Sequence, residues 1–358
     1  MEELILILGL LFIILLIIFS VYLADKISFE NKIRKININN IQINGNEIIF
    51  DSLTLKQKIG QMIIIRGNDK KNIELMRLNI GGIFLSKQDS EADYRNLIKK
   101  YKENSKIELF VSSDLEGAWN PFSKFRDFPS FEDIKNKSEA YEIGLEHGEI
   151  LKELGFNMNF APVAEFFDES YGGRVFSGSK EEIKEKLENY IKGLQKNVAG
   201  TCKHYPGKGM IGNLHLRKDK QEVTLDDLEL FETCFKNNIS NVMIGHQIVS
   251  GEINSKRKPA SVSREVIESL KEKGFNGLII SDEVNMLGLR SFYLKKENMY
   301  KELINSGENL ILDFELNAKS AYALMNEIEK MIRNKEIDEE KINLSVKKIL
   351  KAKGYVIG

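Results

Sequence analysis

The sequence predicts an α/β fold: a (β/α)8 TIM-type barrel forming a single domain, preceded by one N-terminal transmembrane helix. Three observations predict it. A stretch of 21 residues without formal charge, Leu4 to Ala24, lies near the N-terminus, eight short apolar runs then alternate with helical patterns, and polar side chains recur just after those runs.

Each element can be justified in order. Leu4 to Ala24 is mostly Leu and Ile, and as a helix it spans about 31 Å, the thickness of a bilayer core. The start Met1-Glu2-Glu3 has no basic segment, and Tyr22 spoils a small-x-small cleavage site ending at Ala24, so an uncleaved anchor is expected over a signal peptide. Residues 1–25 are thus read as membrane anchor, 26–50 as a polar connector and 51–358 as the barrel domain. Lys32, Arg34 and Lys35 after the span favour a cytoplasmic domain by the positive-inside rule. The apolar β-branched runs fall at about 60–66, 80–86, 107–113, 156–162, 198–203, 239–245, 277–281 and 308–313. Continuous apolar runs suit parallel strands buried on both faces. Helical periodicity fills the intervals, as in 180–196 and 264–274, and two helices are expected over 317–353. A doubly wound open sheet fits the same alternation, although no glycine-rich phosphate loop follows the first run.

Composition narrows the function classes. The 358 residues carry 52 Lys+Arg against 53 Asp+Glu, a net charge of −1, which excludes a strongly basic nucleic-acid binder and an acidic disordered chain. The two cysteines, Cys202 and Cys234, cannot build a disulfide framework and lack the paired spacing of a zinc site. Packing alone is therefore expected to hold the fold, with Cys202 a small apolar strand residue. No metal or other cofactor is expected, because His204 and His215 stand 11 apart across a Pro-Gly loop without an obvious further ligand.

Asp114 follows the third run, Asn159 and Glu165 the fourth, Lys203 and His204 lie at the fifth, His246 follows the sixth and Asp282 the seventh. In a barrel these positions converge on one mouth. The run Lys203-His204-Tyr205-Pro206-Gly207-Lys208-Gly209 with Asn213-Leu214-His215 resembles the KH(F/Y)PGHG…D-S-H signature of glycoside hydrolase family 3, in its single-domain β-N-acetylglucosaminidase branch. Further segments match that family in order: Lys58-Ile59-Gly60-Gln61-Met62, Gly81-Gly82-Ile83, Asp114-Leu115-Glu116-Gly117, Asn159-Phe160-Ala161-Pro162-Val163, Arg174-Val175-Phe176, Pro259-Ala260-Ser261 and Gly277 through Glu283.

Glycoside hydrolysis needs a group that stabilises an oxocarbenium-like transition state and one that protonates the leaving oxygen. Asp282, ending a buried run, suits the nucleophile that forms a covalent glycosyl-enzyme; Glu283 beside it reads as a supporting or capping group. The resemblance implies His215 as general acid/base, a role for which imidazole titrates in the right range. It also implies that Asp114, Arg174, Lys203, His204 and His246 line the pocket for the terminal sugar, and that the substrate is a glycan or peptidoglycan fragment ending in β-N-acetylglucosamine. That chemistry would face the cell exterior, against the flanking-charge cue. The family's Asp of D-S-H is Asn213 here, in a loop one residue shorter, and its GHG histidine is Lys208. A neutral amide orients an imidazole without stabilising its charge, which implies reduced activity. The competing reading is a membrane-anchored carbohydrate-binding protein or catalytically impaired relative. Trp119 stands where the family continues with an arginine-bearing segment, and is read as stacking on an aglycone or covering the rim; His147, within a helical run, is read as packed or exposed.

Overall fold

The computed structural model describes residues 2–34, 36, 38–68, 70–167, 172–207 and 219–358. Eight parallel strands occupy the eight predicted runs: β1 (Ile63–Arg66), β2 (Gly82–Phe84), β3 (Phe110–Ser113), β4 (Met158–Asn159), β5 (Thr201–Tyr205), β6 (Asn241–Ile244), β7 (Leu278–Glu283) and β8 (Leu310–Leu312). They run in the order β4-β3-β2-β1-β8-β7-β6-β5. Parallel bridges Met158↔Ala199 and Val163↔Lys203 join β4 to the β5 segment and complete the ring. The open-sheet alternative is thereby excluded. In this ring β3 and β7 are four strands apart either way round, so they face each other across the mouth.

The outer helices start where local chemistry caps them. The helix Leu55–Gln61 has a Thr54/Gln57 capping box, Lys180–Leu194 a Ser179/Glu182 box and Leu225–Lys236 a Thr224/Asp227 box. Lys137–Leu154 ends on Gly155 at φ 101°, a left-handed cap that glycine adopts freely. That helix and Lys180–Leu194 approach closely because Gly144 and Gly193 lack side chains: a Cβ on either would sit 2.3 or 2.2 Å from a carbonyl oxygen of the other helix. The helices Ala318–Arg333 and Glu339–Ala352 close the barrel as expected.

The first helix runs from Glu2 to Arg34. Its segment Ile7–Phe29 is 23 residues long with mean hydropathy 3.0 and none of its hydrophobic window buried, long and apolar enough to cross a membrane. At its end Phe29 meets Tyr322 edge-on at 6.2 Å.

The cysteines require a correction. Cys202 on β5 and Cys234 on the helix Leu225–Lys236 form a disulfide, with Cα atoms 6.6 Å apart. The expectation failed because two cysteines 32 residues apart give no pairing signal in sequence; only the return of the following helix onto its strand brings them together. His147 is fully buried, with Nδ1 2.9 Å from the Tyr190 hydroxyl and its ring edge-on to Phe128, so of the two readings packing is the observed one.

Candidate active site

A cavity of about 470 Å³ opens at the C-terminal ends of the strands. Arg66, Phe84, Ser86, Asp114, Glu116, Trp119, Phe160, Arg174, Lys203, His204, Met243, Asp282, Glu283, Met286, Leu312, Phe314 and Glu315 line it. The cavity therefore brings together Asp114, Lys203, His204 and Asp282 from the strand ends and Arg174 from the segment after β4.

One wall is a compact charge cluster. Lys203 Nζ donates to Asp114 Oδ1 at 2.7 Å and pairs with Glu116 Oε1, while Arg174 Nε lies 3.2 Å from Glu116 Oε2. Burial works against ionisation of Glu116, but Arg174 and Lys203 outweigh it and hold the carboxyl below the usual range. Lys203 is raised despite its burial, because Asp114 and Glu116 flank it. Asp114 is different: burial pushes it up to about 6, with Lys203 opposing and Glu116 adding to the rise. The loop carrying these groups is rigid. Asn159 pins it by accepting from Leu115 N and donating to Leu115 O, both at 3.0 Å, and Gly117 turns it at φ 65°. Asn159 thus serves the loop rather than the cavity.

Asp282 stands on the opposite wall. Burial disfavours its charge, but the imidazoles of His204 and His246, the Glu283 amide at 2.7 Å and Lys203 more than offset that and hold it below the ordinary carboxylate range. His204 is oriented by Glu165, whose Oε1 accepts from its backbone N at 3.1 Å and faces its Nδ1 at 2.9 Å. Glu283 is half-buried at the mouth, pushed up to about 7 chiefly by burial. Its carboxylate accepts from Asn285 N at 3.0 Å and Phe314 N at 3.2 Å, consistent with a supporting group.

His246 sits behind this wall and not among the cavity-lining residues. Its Nε2 donates to Glu283 O at 3.0 Å and its Nδ1 meets Ser261 Oγ at 2.8 Å, which ties the end of β7 to the strand beside it. Asn213, His215 and Lys208 lie outside the described residues. The chain leaves β5 at Gly207 and re-enters at Asp219, whose carbonyl accepts from Ile248 N at 2.9 Å.

Sequence reasoning missed the aromatic ledge. Phe84 stacks on Phe314 at 4.7 Å and faces Phe160 at 6.0 Å, with the Arg66 guanidinium 5.3 Å from the Phe314 ring. The available signal was positional: Arg66, Phe84 and Phe314 each end or follow a strand.

A ligand that donates hydroxyls to this wall is expected to track the charge on Asp114. Because its carboxyl titrates near 6, it is protonated below that pH and a full anionic acceptor above it. The dissociation constant of such a ligand should fall as pH rises through 6, and Asp114→Asn should flatten that limb. An unchanged limb in the variant would assign it to another group.

A barrel whose mouth sets an ionised carboxylate across from buried charges and an aromatic ledge has the architecture of the glycoside-hydrolase class. The chain belongs to glycosyl hydrolase family 3: the pattern of that family's N-terminal domain matches residues 54–352. It is 25% identical over 280 residues to a β-hexosaminidase of Haemophilus influenzae, covering 70% of this chain and 78% of the relative. It is 22% identical over 329 residues to β-hexosaminidase LpqI of Mycobacterium bovis, covering 84% and 83%. Among solved structures, a family 3 β-N-acetylglucosaminidase from Paenibacillus sp. superposes with TM-score 0.77 at 24% identity, over 84% of this chain and 62% of that one. LpqI of M. tuberculosis superposes with TM-score 0.76 at 20% identity, over 86% and 95%.

Proposed function

We propose that the protein is a retaining exo-β-glycosidase that releases terminal β-N-acetylglucosamine from a glycan or peptidoglycan fragment. Asp282 attacks the anomeric carbon and forms a glycosyl-enzyme; His215 protonates the leaving oxygen and then activates water. The observation that carries this reading is the Asp282 carboxylate, kept ionised and facing the Asp114–Lys203–Glu116–Arg174 cluster across a cavity sized for a small ligand. Two neighbouring facts support His215: both ends of its loop are held on the β5–β6 side of the mouth, and β6 pairs with β7. The β-hexosaminidase names of the relatives point to the same sugar.

Residues 1–25 are proposed as the anchor, 26–50 as connector and 51–358 as the catalytic unit of a single-pass membrane protein. The Cys202–Cys234 disulfide favours an extracytoplasmic domain, since such bonds persist in oxidising compartments. The flanking basic residues point the other way, and the disulfide is the stronger cue because it concerns the folded domain itself.

Proton NMR of the first product anomer tests the reading. The full chain in detergent, given an aryl β-N-acetylglucosaminide, should release the β-anomer first. Initial appearance of the α-anomer would exclude a covalent intermediate. Asn213 favours a second reading, a binding protein with impaired proton transfer, which predicts sugar binding without release.

A further inference from the structure

A second cavity of about 270 Å³ lies beside the first, and nothing in the proposed reaction uses it. Phe84, Ser86, Asp114 and Trp119 line both cavities, so the two are continuous. Its far side is made by Lys87, Ala118, Asn120 and Pro121.

The walls of this cavity are pre-formed. Backbone bonds between Glu116 and Trp119 close the turn that presents the indole, at 3.0 and 3.4 Å. Asn120 accepts from Phe122 N at 2.8 Å and donates to Arg126 O at 2.7 Å, and the buried Tyr94 hydroxyl donates to Pro121 O at 3.1 Å. Lys87 is exposed at the rim, its Nζ 2.7 Å from Ser123 Oγ.

Position in the ring decides what the cavity can hold. Asp282 on β7 and Asp114 after β3 stand on opposite walls, so a pyranose with its anomeric carbon at Asp282 turns its other end toward Asp114. The second cavity opens beyond Asp114, at the end of the first cavity remote from Asp282. Resting on the glycosidase reading above, we propose that it receives a short O-linked substituent on the terminal sugar, carried by the ring end remote from the scissile bond. Its chemistry follows from the lining: an apolar body against Phe84, Trp119 and Pro121, and a carboxylate tip toward Lys87. The preferred substrate class is then a terminal N-acetylglucosaminide bearing a carboxylated ether or ester.

Two measurements on the full chain in detergent test this. Equilibrium binding compares free N-acetylglucosamine with its 3-O-lactyl and 6-O-succinyl derivatives; cleavage compares the corresponding chromogenic β-glycosides. At least one carboxylated sugar should bind as tightly as the plain sugar or tighter. Lys87→Glu should weaken that sugar at least about fivefold while leaving the plain sugar within about twofold, as expected for reversing one partly exposed charge. Rejection of both carboxylated sugars while the plain one binds overturns the proposal, as does indifference of the favoured one to Lys87→Glu. Binding that follows the expected pattern without any cleavage upholds the pocket and sinks the glycosidase reading instead.

Discussion

Asp282→Ala is expected to lose at least ~10⁴-fold in kcat on an aryl β-N-acetylglucosaminide, the scale on which removal of a catalytic nucleophile registers. That loss corresponds to about 5.5 kcal/mol of transition-state stabilisation. The effect should be this large because, among the described residues, the carboxyl next to Asp282 is already engaged. Glu283 is the adjacent carboxyl, but Asn285 and Phe314 hold it by its oxygens, and its titration near 7 leaves it partly protonated at neutral pH. The fold should survive, since Asp282 is partly exposed and lines the cavity rather than the hydrophobic core. A small anion gives the decisive control. Azide added to Asp282→Ala can enter the space vacated by the carboxylate and attack from the same face, so an α-glycosyl azide should accumulate. Equal release by the variant and the native chain would remove Asp282 from the mechanism.

The barrel was legible because each strand is a short apolar run with a break at both ends, and because parallel strands covered by helices need no alternation to be recognised. Asp114, Lys203, His204 and Asp282 were legible for a related reason. Polar residues directly after buried strands have few structural uses, and the fold sends all of those positions to one mouth. What escaped were relations between elements. Glu116 looked like part of a motif, yet its weight comes from Arg174 and Lys203 meeting it out of water. His246 looked like a substrate contact, while its two nitrogens are engaged with Ser261 and the Glu283 carbonyl. The cysteine bridge depends on how one helix packs back on its own strand, and the second cavity on where a turn sets one indole. None of these distances is encoded in a local pattern.

Lys203→Met should be the most damaging change in the binding wall, affecting stability and affinity together. Lys203 is buried and serves two carboxylates, so a neutral replacement leaves Asp114 without its cation and Glu116 with Arg174 alone. Removing one partner from a buried charge cluster costs about 3–5 kcal/mol. Denaturant unfolding of the variant should show that loss, and N-acetylglucosamine affinity should drop at least about a hundredfold as donor and acceptor geometry both fail. The two effects can be separated. In Lys203→Met/Glu116→Gln the second substitution removes the stranded charge, so stability should partly return, with a coupling of at least about 1 kcal/mol between the sites. Sugar affinity should stay low, because an ammonium that can donate to hydroxyls is still missing. If the single variant unfolds and binds like the native chain, the cluster is not the sugar-facing wall; if the double variant regains affinity as well, Lys203 acts only by holding its neighbours in place.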